Sequence, residues 1–242
     1  MSVVLNGSSQ YLLNSAPVLS ALPFSFGCWV QPFSVSAGNH VVLDVASVAD
    51  EWAYMRVAAT WGIYPPAGTS VVTFGTVVAG RWYYVIGRSS AATNHRMAVL
   101  DELGATAHGQ STQGSTITPS KLGIGAGIVS TPISFFDGHI AEFWLTNTDI
   151  QPGGLQLTDA LLRQLAYRGP FSVPHVRQNL VDYRSLRQSL GSATDRARDY
   201  VPGRFGRQIW TTPVAVDSGP HPALLSGYRG PAGSRGARII PV

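Results

Sequence analysis

Along Phe24-Ser-Phe-Gly-Cys-Trp-Val-Gln, Phe24, Phe26, Cys28 and Val30 fall on one side, and Ser25, Gly27, Trp29 and Gln31 on the other. A period of two is that of an extended strand with one buried face. Comparable runs follow at residues 40–45, 52–58, 70–74, 81–86, 96–100 and 139–145. Turn-forming clusters separate them, among them Tyr64-Pro-Pro-Ala-Gly and Ser89-Ser-Ala-Ala-Thr-Asn. Short strands punctuated in this way predict an all-β sandwich, and a jelly roll suits the length. One short helix is predicted after the strands. Thr158 caps it, Asp159 suits its positive end, Leu161, Leu162 and Leu165 form an apolar stripe, and Gly169-Pro170 stops it. From Phe171 the pattern loosens into an extended, partly packed arm. Residues 227–238, rich in Gly and Arg, bury too little apolar surface to fold alone.

Composition supports this reading. The 242 residues are 45% hydrophobic but only 12% charged, with 26 Gly and 16 Pro, a turn-dense profile that disfavours helical bundles and charged disordered chains. No apolar stretch is long enough to span a membrane and the first basic residue is Arg56, so neither a membrane span nor a secretory signal is expected. The single cysteine, Cys28, leaves no internal disulfide framework and reads as a small core residue.

Charge divides the chain in two. Residues 1–150 carry five basic and eight acidic side chains, whereas residues 151–242 carry twelve arginines and five aspartates. The basic part is suited to an acidic partner, or simply to a solvated surface.

Candidate chemistry is sparse. Glycan hydrolysis needs two carboxyls across a cleft, and no strand alternates Glu and Asp on one face; Asp50-Glu51 and Asp101-Glu102 are adjacent and point apart. The six histidines show no metal-ligand spacing, and no Gly-x-Ser-x-Gly elbow occurs. The expectation is therefore of a protein that is not an enzyme and has no cofactor. Leu122-Gly-Ile-Gly-Ala-Gly lacks the Lys of a phosphate loop and reads as tight β-packing. Trp52, Tyr54, Trp61 and Tyr64 are the candidates for stacking on sugar rings, weighed against a place in the core.

Several segments, in order, resemble a concanavalin A-like (laminin G-like) lectin/glucanase domain. They are Leu5-Asn-Gly-Ser-Ser-Gln-Tyr-Leu, Phe26-Gly-Cys-Trp-Val-Gln-Pro, Gly80-Arg-Trp-Tyr-Tyr-Val-Ile and Phe136-Asp-Gly-His-Ile-Ala-Glu-Phe-Trp-Leu. Val99-Leu-Asp-Glu-Leu-Gly departs from the Tyr-x-Asp-Gly turn common in that family. The resemblance covers about residues 2–170, so the expected division is a jelly-roll domain over 1–170 and a C-terminal arm over 171–242. Calcium, which relatives bind through loop carboxylates, would draw on Asp44, Asp50 or Asp137. Segments 180–186, 199–207 and 221–223 resemble the tail that follows this domain in bacteriophage proteins. That implies a virion structural protein, a capsid decoration or cement protein assembled in the host cytoplasm. Its arm would contact the major capsid protein through Arg229, Arg235, Arg238, Ile239 and Ile240. The resemblance also implies a homo-oligomer, and with no apolar stretch of spanning length no membrane insertion is expected. The alternative is a carbohydrate-binding adhesin on a tail or fibre that engages host-surface glycan, and a weaker one is a glycan hydrolase.

Overall fold

The computed structural model describes residues 2–14, 19, 21–66, 71–151, 155–184 and 215–217. The strands in chain order begin with β1 (Ser2–Asn6), β2 (Leu12–Asn14), β3 (Phe24–Pro32), β4 (Asn39–Ala46) and β5 (Glu51–Val57). Next come β6 (Thr60–Tyr64), β7 (Val72–Phe74), β8 (Tyr83–Ala91), β9 (Asn94–Asp101) and β10 (Thr106–Ser111). Then follow β11 (Lys121–Ile124), β12 (Asp137–Thr146), β13 (Leu180–Arg184) and β14 (Ala215–Asp217). They form two antiparallel sheets. Sheet one runs β10-β9-β8-β3-β12-β1-β14, with β13 also paired to β12; sheet two runs β2-β11-β4-β5-β6-β7. This is the predicted all-β sandwich.

The inner faces meet in one core built by Phe24, Phe26, Val30, Val45, Trp52, Tyr54, Trp61, Val85 and Phe143, among others. Large rings fill it because neighbouring backbone gives way. A Cβ on Gly87 would lie 2.0 Å from the Phe26 ring, and one on Gly27 2.6 Å from the Trp144 indole.

A second apolar layer covers the outer face of sheet one. Helix α1 (Asp159–Arg168) is capped as predicted, Thr158 accepting a hydrogen bond from the Leu161 N–H at 3.3 Å, and it ends at Gly169 with φ 72°. Leu162, Leu165 and Ala166 pack with Trp29, Tyr84, Trp144 and Ile86. Both sides of β3 are therefore buried, and Trp29, on the side that looked polar in the sequence, is fully enclosed.

The sheet also continues past residue 170, where the arm was expected to start. Residues 174–178 form helix α2 (Pro174–Gln178), and β13 then pairs with β12. Between its pairings with β1 and β13, β12 bulges at Glu142, whose φ of 53° is costly for a residue with a side chain. The bulge turns Phe143 into the core while Trp144 faces outward, and the Tyr183 hydroxyl donates to the Glu142 carboxylate.

Candidate functional site

Three of the four aromatic residues expected to stack on sugars stand on the inner face of sheet two. Trp52 is 1% exposed, Tyr54 0% and Trp61 1%. Their rings pack on Phe24 at 5.3 Å, Phe26 at 5.0 Å and Tyr83 at 5.2 Å. The reason is register: Trp52 and Tyr54 are two apart on β5, and Trp61 lies opposite Arg56, so all share the inward side. Trp52, Tyr54 and Trp61 are core residues and cannot meet a glycan. Only Tyr64, half-buried against Val41, Ala53 and Met55, lies on an outer face.

The calcium candidates do not converge. Asp50 accepts from the Glu51 N–H in the turn between β4 and β5, and Asp137 accepts from the Ser34 hydroxyl at 3.3 Å. Among the described residues no three His, Cys, Asp or Glu side chains come together. The capsid-contact candidates Arg229, Arg235, Arg238, Ile239 and Ile240 lie outside the described residues.

Asp44 instead stands opposite Ala53, with Glu51 diagonal to it on the outer face of sheet two, so that carboxyls from neighbouring strands come close. Asp44 is fully buried beneath the loop after β11, where its Oδ2 accepts from the Ile128 N–H at 2.6 Å. Burial, and then the neighbouring Glu51, push its carboxyl well above the ordinary range, which favours its neutral form. Lys121 is fixed beside it by the Val129 carbonyl at 3.1 Å.

The outer face of sheet one holds a cavity of about 80 Å³. Register lays out its floor. Arg88 on β8 stands opposite Arg96 on β9, which stands opposite Gln110 on β10; the next row is Ile86, Ala98 and His108. Gln156 and Leu157, on the approach to α1, form a wall.

Like charges directly opposite on neighbouring strands repel, and the two guanidiniums are handled differently. The Arg88 side chain, 3% exposed, is consumed: it donates to Asp149 at 2.7 Å, to the Gln151 carbonyl at 3.1 Å and to the Leu155 carbonyl. Arg96 is half-buried, and its Nε donates to Asn94 at 3.2 Å. Its terminal nitrogens have no protein partner among the described residues, and neither do the side-chain amides of Gln110 and Gln156. His108 pairs with Asp159 at 2.9 Å, which holds the Asp159 carboxyl below the usual range.

This site was missed in the sequence because residues 89–94 read as a turn. The β8–β9 hairpin turns only at residues 92–93, and that places Arg88 opposite Arg96.

No family model matches the chain, nor does any curated protein. Solved structures do. The enzymatically active domain of tailspike protein 2 from bacteriophage CBA120 matches with TM-score 0.54 and 10% identity, over 76% of this chain and 29% of that one. A heptameric SAP-like pentraxin from Limulus polyphemus matches with TM-score 0.49 and 14% identity, over 68% and 81%. The LG1-3 region of the laminin alpha2 chain matches with TM-score 0.49 and 11% identity, over 60% and 30%. The chain thus spans less than a third of the tailspike and laminin chains.

The fold is the concanavalin A-like jelly roll that the sequence motifs resembled, of a kind that also occurs in a phage tailspike. The expectation that the chain is not an enzyme is corrected by the same likeness, since the tailspike domain of which it matches 29% is described as enzymatically active.

Proposed function

We propose that the chain is a bacteriophage virion surface protein that binds host glycan, an adhesin of the tail or fibre. The observation that carries this reading is the cavity on the outer face of sheet one. It combines a guanidinium fork and two amides that have no partner among the described residues, groups suited to the hydroxyl and charged substituents of sugars. The fold shared with a phage tailspike supports the virion setting. Capsid decoration is the alternative, since its anchor was assigned to residues 229–240, outside the described residues.

Quantitative mass spectrometry of purified particles, alongside binding of the pure chain to host envelope polysaccharide, tests the proposal. A handful of copies per particle with saturable polysaccharide binding is the expected result. Hundreds of copies would transfer the chain to the capsid lattice, and absence from particles would remove the virion assignment. Hydrolysis is the second reading, favoured by the tailspike domain. New reducing ends in the same polysaccharide incubations would establish it.

A further inference from the structure

We infer that the cavity floored by Arg88, Arg96 and Gln110 receives the carboxylate of an acidic sugar, a uronic- or sialic-acid residue of a longer glycan. The inference rests on the glycan-binding reading and specifies its substrate class.

Charge decides the sign of the ligand. Arg88 is neutralised by Asp149 and its donors also hold the Gln151 and Leu155 carbonyls, while His108 is turned to Asp159. Arg96 makes no ion pair among the described residues, although it faces a second guanidinium across the strands. One uncompensated cation calls for one negative charge, so a monoanionic carboxylate balances the site where a phosphate dianion would overfill it. Geometry agrees: with Nε held by Asn94, the terminal nitrogens of Arg96 present the planar edge that carboxylates accept. The Gln110 and Gln156 amides flank it and are free to bond the hydroxyls beside the acid group.

Size decides how much of the ligand enters. A volume of about 80 Å³ is well below the roughly 150 Å³ that encloses a benzene ring. The cavity takes a substituent, not a whole sugar, and the rest of the glycan runs over the exposed surface of Gln110 and Gln156. The opposed arginines are an unfavourable pairing in the unliganded fold, and an arriving carboxylate relieves it.

The test is equilibrium binding of the full chain to hyaluronate, polygalacturonate and polysialate, each beside its carboxyl-reduced, neutral form, with dextran sulfate as a second anion. At least one of the three carboxylated polymers should bind, and carboxyl reduction or Arg96→Gln should each weaken it about tenfold. Arg96→Lys, which keeps the charge without the fork, should recover only part of the loss. If Arg96→Gln melts early, Gln156→Ala on its exposed loop carries the same expectation with a smaller loss.

Equal binding of carboxylated and reduced forms, or an unaffected Arg96→Gln, would overturn the acidic-sugar assignment and leave glycan binding standing. Preference for dextran sulfate over every carboxylated polymer would overturn the carboxylate. No binding to any polymer here, with binding to host polysaccharide retained, would also overturn the inference alone; loss of both would remove the glycan-binding reading with it.

Discussion

On the outer face of sheet one, the segment leading into α1 stands off the strands and leaves a cavity over Arg96. On the outer face of sheet two, the loop after β11 closes directly onto Asp44. Each face carries two like charges in neighbouring strands, Arg88 with Arg96 and Asp44 with Glu51. Sheet two resolves its conflict internally, by burying Asp44 and shifting its carboxyl toward the neutral form. Sheet one resolves only half of its conflict, since Asp149 pairs with Arg88 while the terminal donors of Arg96 have no partner among the described residues. A like-charge pair sealed by burial belongs to the structure, whereas one left open with spare hydrogen-bonding groups is available to a ligand.

The comparison can be broken most forcefully at the shared core. Trp61→Ala should cost about 3 to 5 kcal/mol in chemical denaturation, because it empties space between the sheets. Any loss of glycan binding should disappear when the measurement is corrected for the unfolded fraction. On sheet one, Arg88→Met should cost a comparable amount, about 3 to 5 kcal/mol, since it leaves Asp149 buried without its partner. Restoring neutrality with Asp149→Asn in the same chain should recover much of that loss. Leu162→Ala, which thins the contact of α1 with Trp29, should cost about 2 to 5 kcal/mol and raise hydrogen exchange in α1 before the strands.

On sheet two the expected effect has the opposite sign. The folded Asp44 carboxyl titrates above its unfolded value of about 3.9, so both states are protonated below that pH and no stability is lost there. As pH rises, the unfolded chain ionises first and the fold loses stability until Asp44 itself ionises. Asp44→Asn keeps an acceptor for the Ile128 N–H and removes this titration. Its stability relative to the parent should climb as pH rises above about 4, and a flat difference there would contradict the raised Asp44 carboxyl.

The smallest effect belongs to the His108–Asp159 pair, whose aspartate side chain is 50% exposed. The Asp159 carboxyl lies below its ordinary value, so the pair's contribution is present at neutral pH and fades as pH falls through the folded value. Solvent screening keeps it near ~0.5 kcal/mol, and Asp159→Asn should lower the melting temperature only slightly.

How legible these features were depended on where their cause lies. Strands with a strong apolar alternation, such as β3, β5 and β12, could be read directly from the sequence, and so could α1 through Thr158 and Gly169. β10, Thr-Ala-His-Gly-Gln-Ser, could not: it is an edge strand whose half-exposed residues need no apolar side, and it is where His108 and Gln110 enter the site. Trp29 was assigned to a polar face because its cover, α1, comes some 130 residues later in the chain. The pairing of Arg88 with Arg96 and the diagonal approach of Glu51 to Asp44 depend on hairpin register, which the apolar pattern alone does not reveal. Trp52 and Trp61 attracted attention as aromatic rings near turns, but a sandwich of this size needs large rings between its sheets, and the inward parity of β5 and β6 supplies them.

The most direct test of glycan recognition on sheet one is backbone amide NMR of the isotopically labelled chain titrated with fragments of host envelope polysaccharide. Saturable shifts are expected, confined to Arg96, Gln110, Gln156 and their neighbours, with the sheet-two residues around Tyr64 and Asp44 unmoved. Shifts centred on Tyr64, Val41 and Met55, with Arg96 and Gln110 silent, would place recognition on the opposite face and contradict the sheet-one site.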